Sequence, residues 1–546
     1  MKKLIITVLC AAMMLPVFAG DKFLSGKILR IDTGSIAERS GNSINFGLGG
    51  LSRSSSISLL DIERAISKAA HDKDIAMIYV NVDNVSASLS GLEEIRECLK
   101  KFSRAGKPVV AYVTSPGNTS YYLASAADRI FMYPRSNGSL TGAVSAQMFL
   151  KDFLDTLGLD VQLIRHGKFK SAGEMYIRND ISPENRLQYE EMLSSRWNHC
   201  VSEMAASRGV SADSINVWTD RLALSSPASW VGKGLVDGLK FRDEMEDYLC
   251  RLFGTTDRRK VKFVNIGKYT EKLKKGPSAK KVAVIYADGE ISRSGSGIVG
   301  EELARTIASV RRDSSVKAVV FRVNSPGGEV VASDMIRREI ELLGAVKPVV
   351  ASYGAYAASG GYLISAGCSH IFTDNTTLTG SIGVFGLVLT YGNALKKHLK
   401  INPVVIGTNA HSKIVAPLYP LDGEEEAWYQ EEIEEIYDQF VSVVAAGRGM
   451  EKSAVDEIAQ GRVWTGSDAI KLGLCDETGT LVDAITYAAQ QAGIFNYSIA
   501  TYPRKKDLWK QMLGKEKEDE YLVKIKEMFK PGFNAMARLP YMTINE

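Results

Sequence analysis

Apolar and polar positions in the second half of the chain alternate between two periods. VAVIYADGEI (282–291) and AVVFRVNS (318–325) are short runs of β-branched and aromatic residues that end in polar turns, which predicts strands. EELARTIASVRRD (301–313) and MIRREIELLGA (335–345) space their apolar residues as one helical face, and PVVASYGA (348–355) returns to a strand. Strands this apolar, separated by helices, pair in parallel through right-handed crossovers. The pattern predicts an α/β fold with mostly parallel sheets flanked by helices.

The pattern occurs twice. YYLASAADRIF (121–131) matches GYLISAGCSHIF (361–372), SLTGAVSA (139–146) matches TLTGSIGV (377–384), and AASRGV (205–210) matches AAGRGM (445–450). KPVV precedes the core motif in each copy, at 107–110 and 347–350. An offset of 240 residues pairs Tyr122 with Tyr362 and Arg208 with Arg448. The chain therefore divides into an N-terminal repeat (21–260), a basic linker (261–281) containing Gly276 and Pro277, and a C-terminal repeat (282–500). A charged arm of helical pattern (501–546) follows, with KEKEDEY at 515–521. A length of 546 residues already exceeds what one core usually supports.

The first residues add a location. Lys2 and Lys3 precede an apolar run from Leu4 to Phe18, and Val17-Phe18-Ala19 offers a cleavage site. This predicts an export signal, with a retained membrane anchor as the alternative, over residues 1–20. Either places the bulk of the protein outside the cytoplasm. The net charge of +4 is small for this length, and no dense basic block interleaves with aromatics, so nucleic acid is not an expected partner. Cys10 lies inside the signal, and the other five cysteines are scattered without a CxxC pair, which predicts buried thiols rather than a disulfide framework. The six histidines form no HExxH, so no metal or other cofactor is expected.

Two stretches of the second copy carry candidate chemistry. In RVNSPGGEV (322–330) a strand gives way to Pro326 and the pair Gly327-Gly328 ahead of a helix, where backbone amides can face a developing negative charge. The first copy has VDNVSASLSG (82–91) there, without the glycines. In AASGGYLISAG (357–367), Ser359 follows a strand and opens a helix, a place that favours an alkoxide; the alternative is a packing serine in a tight turn. The 240-residue offset sets Thr119 opposite it. A serine nucleophile needs a base. His370 and His411 are the nearest histidines in sequence, neither in a context that suggests a triad. The other choice is a lysine whose pKa burial lowers. GKFKSAGEMYIRNDISPENR (167–186) holds Lys170, which read alone is equally a solvated loop lysine. The matching position 410 is alanine, with Lys413 three residues beyond it.

Together NSPGG (324–328), ASGGY (358–362), LTGSIGV (378–384) and GKFKSA (167–172) resemble the long-form bacterial signal peptide peptidase A, or protease IV, family. The resemblance spans nearly the whole chain after the signal. It implies a Clp-protease and crotonase-like fold in two tandem domains and a serine endopeptidase working through a Ser-Lys dyad. It makes Ser359 the nucleophile, Lys170 the general base, and Gly328, Gly327 and Gly360 the oxyanion-hole candidates, with Ser381 helping to orient the lysine. It further implies a homotetramer associated with the membrane, in the cell envelope at the periplasmic face of the inner membrane. The implied substrates are apolar peptides such as remnant signal peptides. Two other readings share the fold: a catalytically inactive scaffold, and a crotonase-like acyl-CoA enzyme, against which the export signal argues.

Overall fold

Six strands form the sheet of the first repeat, in the order Gly238–Leu239, Arg129–Met132, Val109–Val113, Ile75–Val82, Lys27–Asp32 and Lys262–Asn265. Every neighbouring pair is parallel. The computed structural model describes residues 23–47, 50–271, 273, 278–295, 297–504, 534–539 and 543–545. The expected signal segment and the charged stretch 505–533 lie outside the described residues.

The second repeat builds the larger sheet. Its main path runs Val463–Thr465, Leu378–Gly380, Val349–Ala358, Val316–Ser325, Lys281–Asp288 and Ser498–Tyr502, with His370–Thr373 and Glu477–Thr478 branching from it. Its pairings are parallel except that of Leu378–Gly380 with Val463–Thr465. The amphipathic runs form helices at Gly300–Arg312 and Val330–Gly344. The protein is thus mixed α/β with mostly parallel sheets, and each repeat has its own apolar core.

Two segments depart from the sequence expectation. Lys262–Asn265, expected within the linker, pairs with the free edge of Lys27–Asp32 and closes the first sheet. Its exposed polar residues suit a sheet edge. Of the arm expected to be helical, the charged stretch lies outside the described residues, while Thr501 and Tyr502 end the strand Ser498–Tyr502 and Asn534–Arg538 and Thr543–Asn545 are strands. Neighbouring strand edges supply their hydrogen bonds, which no local periodicity could reveal.

The repeats are joined by buried charge. Arg322, fully buried in the second repeat, pairs with Glu38 and Glu94 of the first, each at 2.6 Å. Glu94 also accepts the Leu481 N–H (2.7 Å) and Glu63 the Val482 N–H (3.0 Å), so two carboxylates meet the N-terminus of the helix Leu481–Gln491. Burial and the neighbouring Glu94 push the Glu63 carboxyl well above the usual range, so it meets the helix as a hydrogen-bond acceptor. Removing one member of a buried pair such as Arg322–Glu94 typically costs about 3–5 kcal/mol. Cys98, Cys200, Cys250, Cys368 and Cys475 are free and buried. No helix among the described residues is long and apolar enough to cross a membrane.

A third sheet is shared. Its order is Asp160–His166, Val384–Thr390, Asn534–Arg538, Gly327–Glu329, Ile291–Ser292 and Ile298–Val299. The first strand belongs to the first repeat and lies antiparallel to Val384–Thr390 of the second over seven residue pairs. This pairing carries the loop that follows His166 into the other half of the molecule.

Candidate active site

The loop after Asp160–His166 ends on Lys170. It is fastened to the loop 459–462 of the second repeat by backbone contacts: the Phe169 N–H donates to the Gln460 carbonyl (2.9 Å), and the Lys170 N–H turns back to Gly167 (3.1 Å). A Cβ at Gly461 would stand 2.5 Å from that of Lys170, so only glycine permits this approach. The Arg165 guanidinium donates to the Lys170 carbonyl (2.8 Å) and fixes the loop from the other side.

The strand Val349–Ala358 delivers Ser359 to the same place. Ser359 has φ +55° and ψ −118°, a conformation rare outside glycine, and its N–H donates to the Gly380 carbonyl (2.8 Å). Ser381 also has positive φ, +49°, and donates its N–H to the Arg462 carbonyl (2.7 Å). Two strained serines facing one another mark a site whose surroundings overdetermine the backbone. The helix that follows Ser359 has only four residues, Gly360–Leu363, so nearby amides rather than a long helix dipole set the local field.

Lys170 Nζ lies 2.7 Å from Ser359 Oγ, 3.0 Å from Ser381 Oγ and 3.0 Å from the Ser381 carbonyl oxygen. The lysine is 1% exposed, and Ser359 and Ser381 are fully buried. Burial holds the Lys170 amine well below the ordinary lysine value. A neutral amine has two hydrogens and one lone pair. Its hydrogens match the two Ser381 oxygens, and its lone pair matches the Ser359 hydroxyl.

The glycine turn closes the site. A Cβ at Gly328 would overlap the Ile291 carbonyl, and a Cβ at Gly360 would stand 3.2 Å from the Gly328 nitrogen, so the backbones of the two glycines lie close together. The Gly327 N–H already donates to Ser325 Oγ (3.2 Å), which leaves Gly328 and Gly360 as the better candidates for an incoming oxyanion.

All six sequence-predicted site residues therefore converge. The rejected bases do not join them. His370 stacks on Tyr487 and bonds Glu477 (2.9 Å), and His411 faces Glu425 (3.4 Å). Lys413 pairs with Asp422 at 2.8 Å. Sequence reasoning missed the supporting loop of Gln460 and Gly461, which acts through backbone alone, and the strand Asn534–Arg538 beside the glycines. The nearest sequence signal for the latter is the alternation of small residues in Ala535-Met536-Ala537.

The alignment of the repeats also shifts by one residue at this point. Tyr121 donates its hydroxyl to the Leu235 carbonyl (2.7 Å) as Tyr362 does to Leu474 (2.8 Å), while Arg208 and Arg448 reach the Gly234 and Gly473 carbonyls alike. Tyr121 is thus the partner of Tyr362, at an offset of 241 (121 to 362), and Asn118 rather than Thr119 stands opposite Ser359. Ser359 lies ten residues beyond the strand start at Val349 and Asn118 nine beyond the start at Val109, so the first repeat is one residue shorter here.

The sequence profile of peptidase family S49 matches residues 101–252 and again 341–494, one match in each repeat. Protease 4 of Haemophilus influenzae is 35% identical over 457 residues, covering 80% of this chain and 73% of that protein. Protease 4 of Salmonella typhi is 34% identical over 464 residues (82% and 74%). The chloroplastic serine protease SPPA of Arabidopsis thaliana is 33% identical over 452 residues (81% and 66%). With the profile matched across both repeats and relatives of this similarity along most of its length, the chain belongs to peptidase family S49 and is a serine peptidase.

Proposed function

We propose that Ser359 is the nucleophile and Lys170 the general base of a Ser-Lys dyad that hydrolyses peptide bonds. The observation that carries this reading is the 2.7 Å approach of Lys170 Nζ to Ser359 Oγ in a buried site. The residues 21–260 contribute the base and 282–500 the nucleophile. Neutral Lys170 takes the hydroxyl proton as Ser359 Oγ attacks the carbonyl carbon. Ser381, bonded to the amine through both its oxygens, aims the lone pair at that proton. The amides of Gly328 and Gly360 receive the oxyanion, each such donor being worth about 3 kcal/mol in the transition state. Lys170 then passes its proton to the leaving amine, and a water activated by the same lysine releases the acyl group.

The substrates we infer are apolar, extended peptides, with remnant signal peptides of the cell envelope as the main class. The family resemblance and the export-signal pattern of residues 1–20 support this. The homotetramer, and attachment at the periplasmic face of the inner membrane, rest on the family resemblance; light scattering and membrane fractionation test them. The dyad itself is tested with a fluorophosphonate probe. Labelling of Ser359 that vanishes in Ser359→Ala, together with loss of peptidase turnover in folded Lys170→Ala, is the expected result. Near-normal turnover in Lys170→Ala would overturn the dyad. A folded protein that neither labels nor hydrolyses peptides would favour an inactive scaffold.

A further inference from the structure

The seat of Lys170 rests on one phenol. Gln460, whose carbonyl takes the Phe169 N–H, holds φ +52°, in the left-handed region that favours glycine, so partners must keep it there. Those partners are Tyr437 and Asp456. The Gln460 side-chain amide donates to Asp456 Oδ1 (2.8 Å) and to the Tyr437 hydroxyl oxygen (3.3 Å). Its backbone N–H donates to the same hydroxyl oxygen (3.4 Å), and the Tyr437 hydroxyl in turn donates to Asp456 Oδ1. Tyr437 is buried on the helix Gly423–Arg448, and Asp456 lies on the next helix, Lys452–Ile458.

The same ring reaches the other end of the loop. The His166 imidazole stacks on it, with centroids 3.6 Å and planes 20° apart, and His166 Nδ1 lies 2.6 Å from Glu434 Oε2 of the same helix. His166 ends its strand one residue before Gly167, where a Cβ would stand 2.5 Å from the Gln460 carbonyl. Tyr437 thus touches the residue at which the loop 167–170 begins and the residue on which it lands. The charged groups around it are His166, Glu434 and Asp456, with Arg165 on the Lys170 carbonyl. Burial, and then the bond to Asp456, push the phenol well above its ordinary pKa, so it stays a hydroxyl.

The first repeat offers a control. At the 240-residue offset that pairs the helices Pro183–Arg208 and Gly423–Arg448, Trp197 and Asn216 match Tyr437 and Asp456. They too are bonded, Trp197 Nε1 donating to Asn216 Oδ1 (2.9 Å). An indole N–H only donates, whereas a phenol also accepts. The first repeat therefore ties two helices together, and the second adds an acceptor for the loop that seats its lysine.

We propose that Tyr437 is a positioning residue for the reaction: by tying Gln460 to Asp456 and stacking on His166, it fixes both ends of the loop 167–170 and holds the Lys170 amine dry against the Ser359 hydroxyl. The inference rests on the dyad reading above. Tyr437 touches no reacting atom and acts through the backbone of Gln460 and Phe169. A seat that slackens admits water to the amine, and a hydrated lysine keeps its proton to higher pH, where it cannot serve as a base.

The rate at which a fluorophosphonate labels Ser359 in the full chain, followed as a function of pH, tests this. Tyr437→Phe keeps the stack on His166 and removes the hydroxyl. Its labelling midpoint should move up by about half a pH unit or more, a loss of about threefold below both midpoints that vanishes at high pH. Gln460→Gly suits the backbone and removes the side-chain bonds, so its midpoint should move in the same direction. A rate lowered equally at every pH, the mark of a merely structural role, overturns the inference. So does an unmoved midpoint in folded Tyr437→Phe, or in folded Gln460→Gly should the first variant not fold. Either result leaves the dyad standing if Lys170→Ala abolishes the labelling. A Lys170→Ala protein that labels with the wild-type profile overturns the dyad and the inference together.

Discussion

The two repeats fold one backbone plan and put opposite contents at its centre. In the first, Asn118 stands where the second has Ser359. Its amide is engaged: Nδ2 donates to the Gly142 carbonyl (2.9 Å), and the Thr141 N–H donates to Oδ1 (3.0 Å). The glycine turn differs in the same sense. In the first repeat Ser88 accepts the Gly91 N–H (3.2 Å) and caps the helix Leu89–Arg104. In the second, the helix Val330–Gly344 has no side-chain cap, and the preceding turn is built from Gly327 and Gly328. One copy uses its turn to finish a helix, and the other builds it from two glycines whose backbone lies in the shared sheet close to Gly360. The comparison teaches that the backbone plan is shared while the residues set at its centre are not.

The strongest test of this contrast is truncation of side chains at the two centres. Ser359→Ala and Lys170→Ala should each lower kcat about 10⁴-fold or more, as loss of a nucleophile or its base does elsewhere. Asn118→Ala and Thr119→Ala should leave turnover on an added peptide within about twofold, since surface-like changes away from the chemistry are mild. A large loss in either would assign the first repeat a catalytic part. Next in size, Gly328→Ala forces a methyl against the Ile291 carbonyl and disturbs an oxyanion donor, so steady-state kinetics should show a loss of about 10²–10³ in kcat.

The pH profile sharpens the comparison further. Below its lowered pKa, Lys170 carries a proton and cannot accept one, so kcat/KM should fall about tenfold for each unit of pH. The rise should level off before the range in which ordinary lysines lose their protons. The same shift affects stability. Between the folded and ordinary lysine pKa values the unfolded chain binds more protons, so stability attributable to this residue increases with pH across that window. Lys170→Met should flatten that slope in denaturant titrations. Smallest among the changes at the dyad, Ser381→Ala removes one of the lysine's hydrogen-bond partners, worth about 1.4 kcal/mol or a tenfold drop in kcat. An unchanged rate would show that the Ser381 carbonyl alone positions the amine.

Much of this was legible in the sequence, for reasons that separate local from distant causes. The strands around AVVFRVNS and PVVASYGA are apolar enough to be read directly, and the helices beside them have clear amphipathic spacing. Ser359 and the glycine pair stood out because small residues after a strand have few packing reasons to be there. Lys170 did not stand out by itself, because its burial is imposed by Gln460 and Gly461, almost 300 residues away in the chain. The tail strand was hidden for a similar reason: both strands that pair with it come from elsewhere, and the charged stretch before it suggested a helix. The one-residue slip between Asn118 and Thr119 reflects one residue fewer between strand start and helix in the first repeat, which motif matching alone does not register.

The sheet shared between the halves has a consequence for the chain during its synthesis. Asp160–His166 is made long before Val384–Thr390, the strand it must join. A growing polypeptide therefore carries its amine early but cannot seat it until more than two thirds of the protein exists, and the hydroxyl it would activate appears only slightly sooner. On the proposed dyad, an unfinished chain lacks the assembled pair of groups, because the sheet that seats its amine is completed only by the later half.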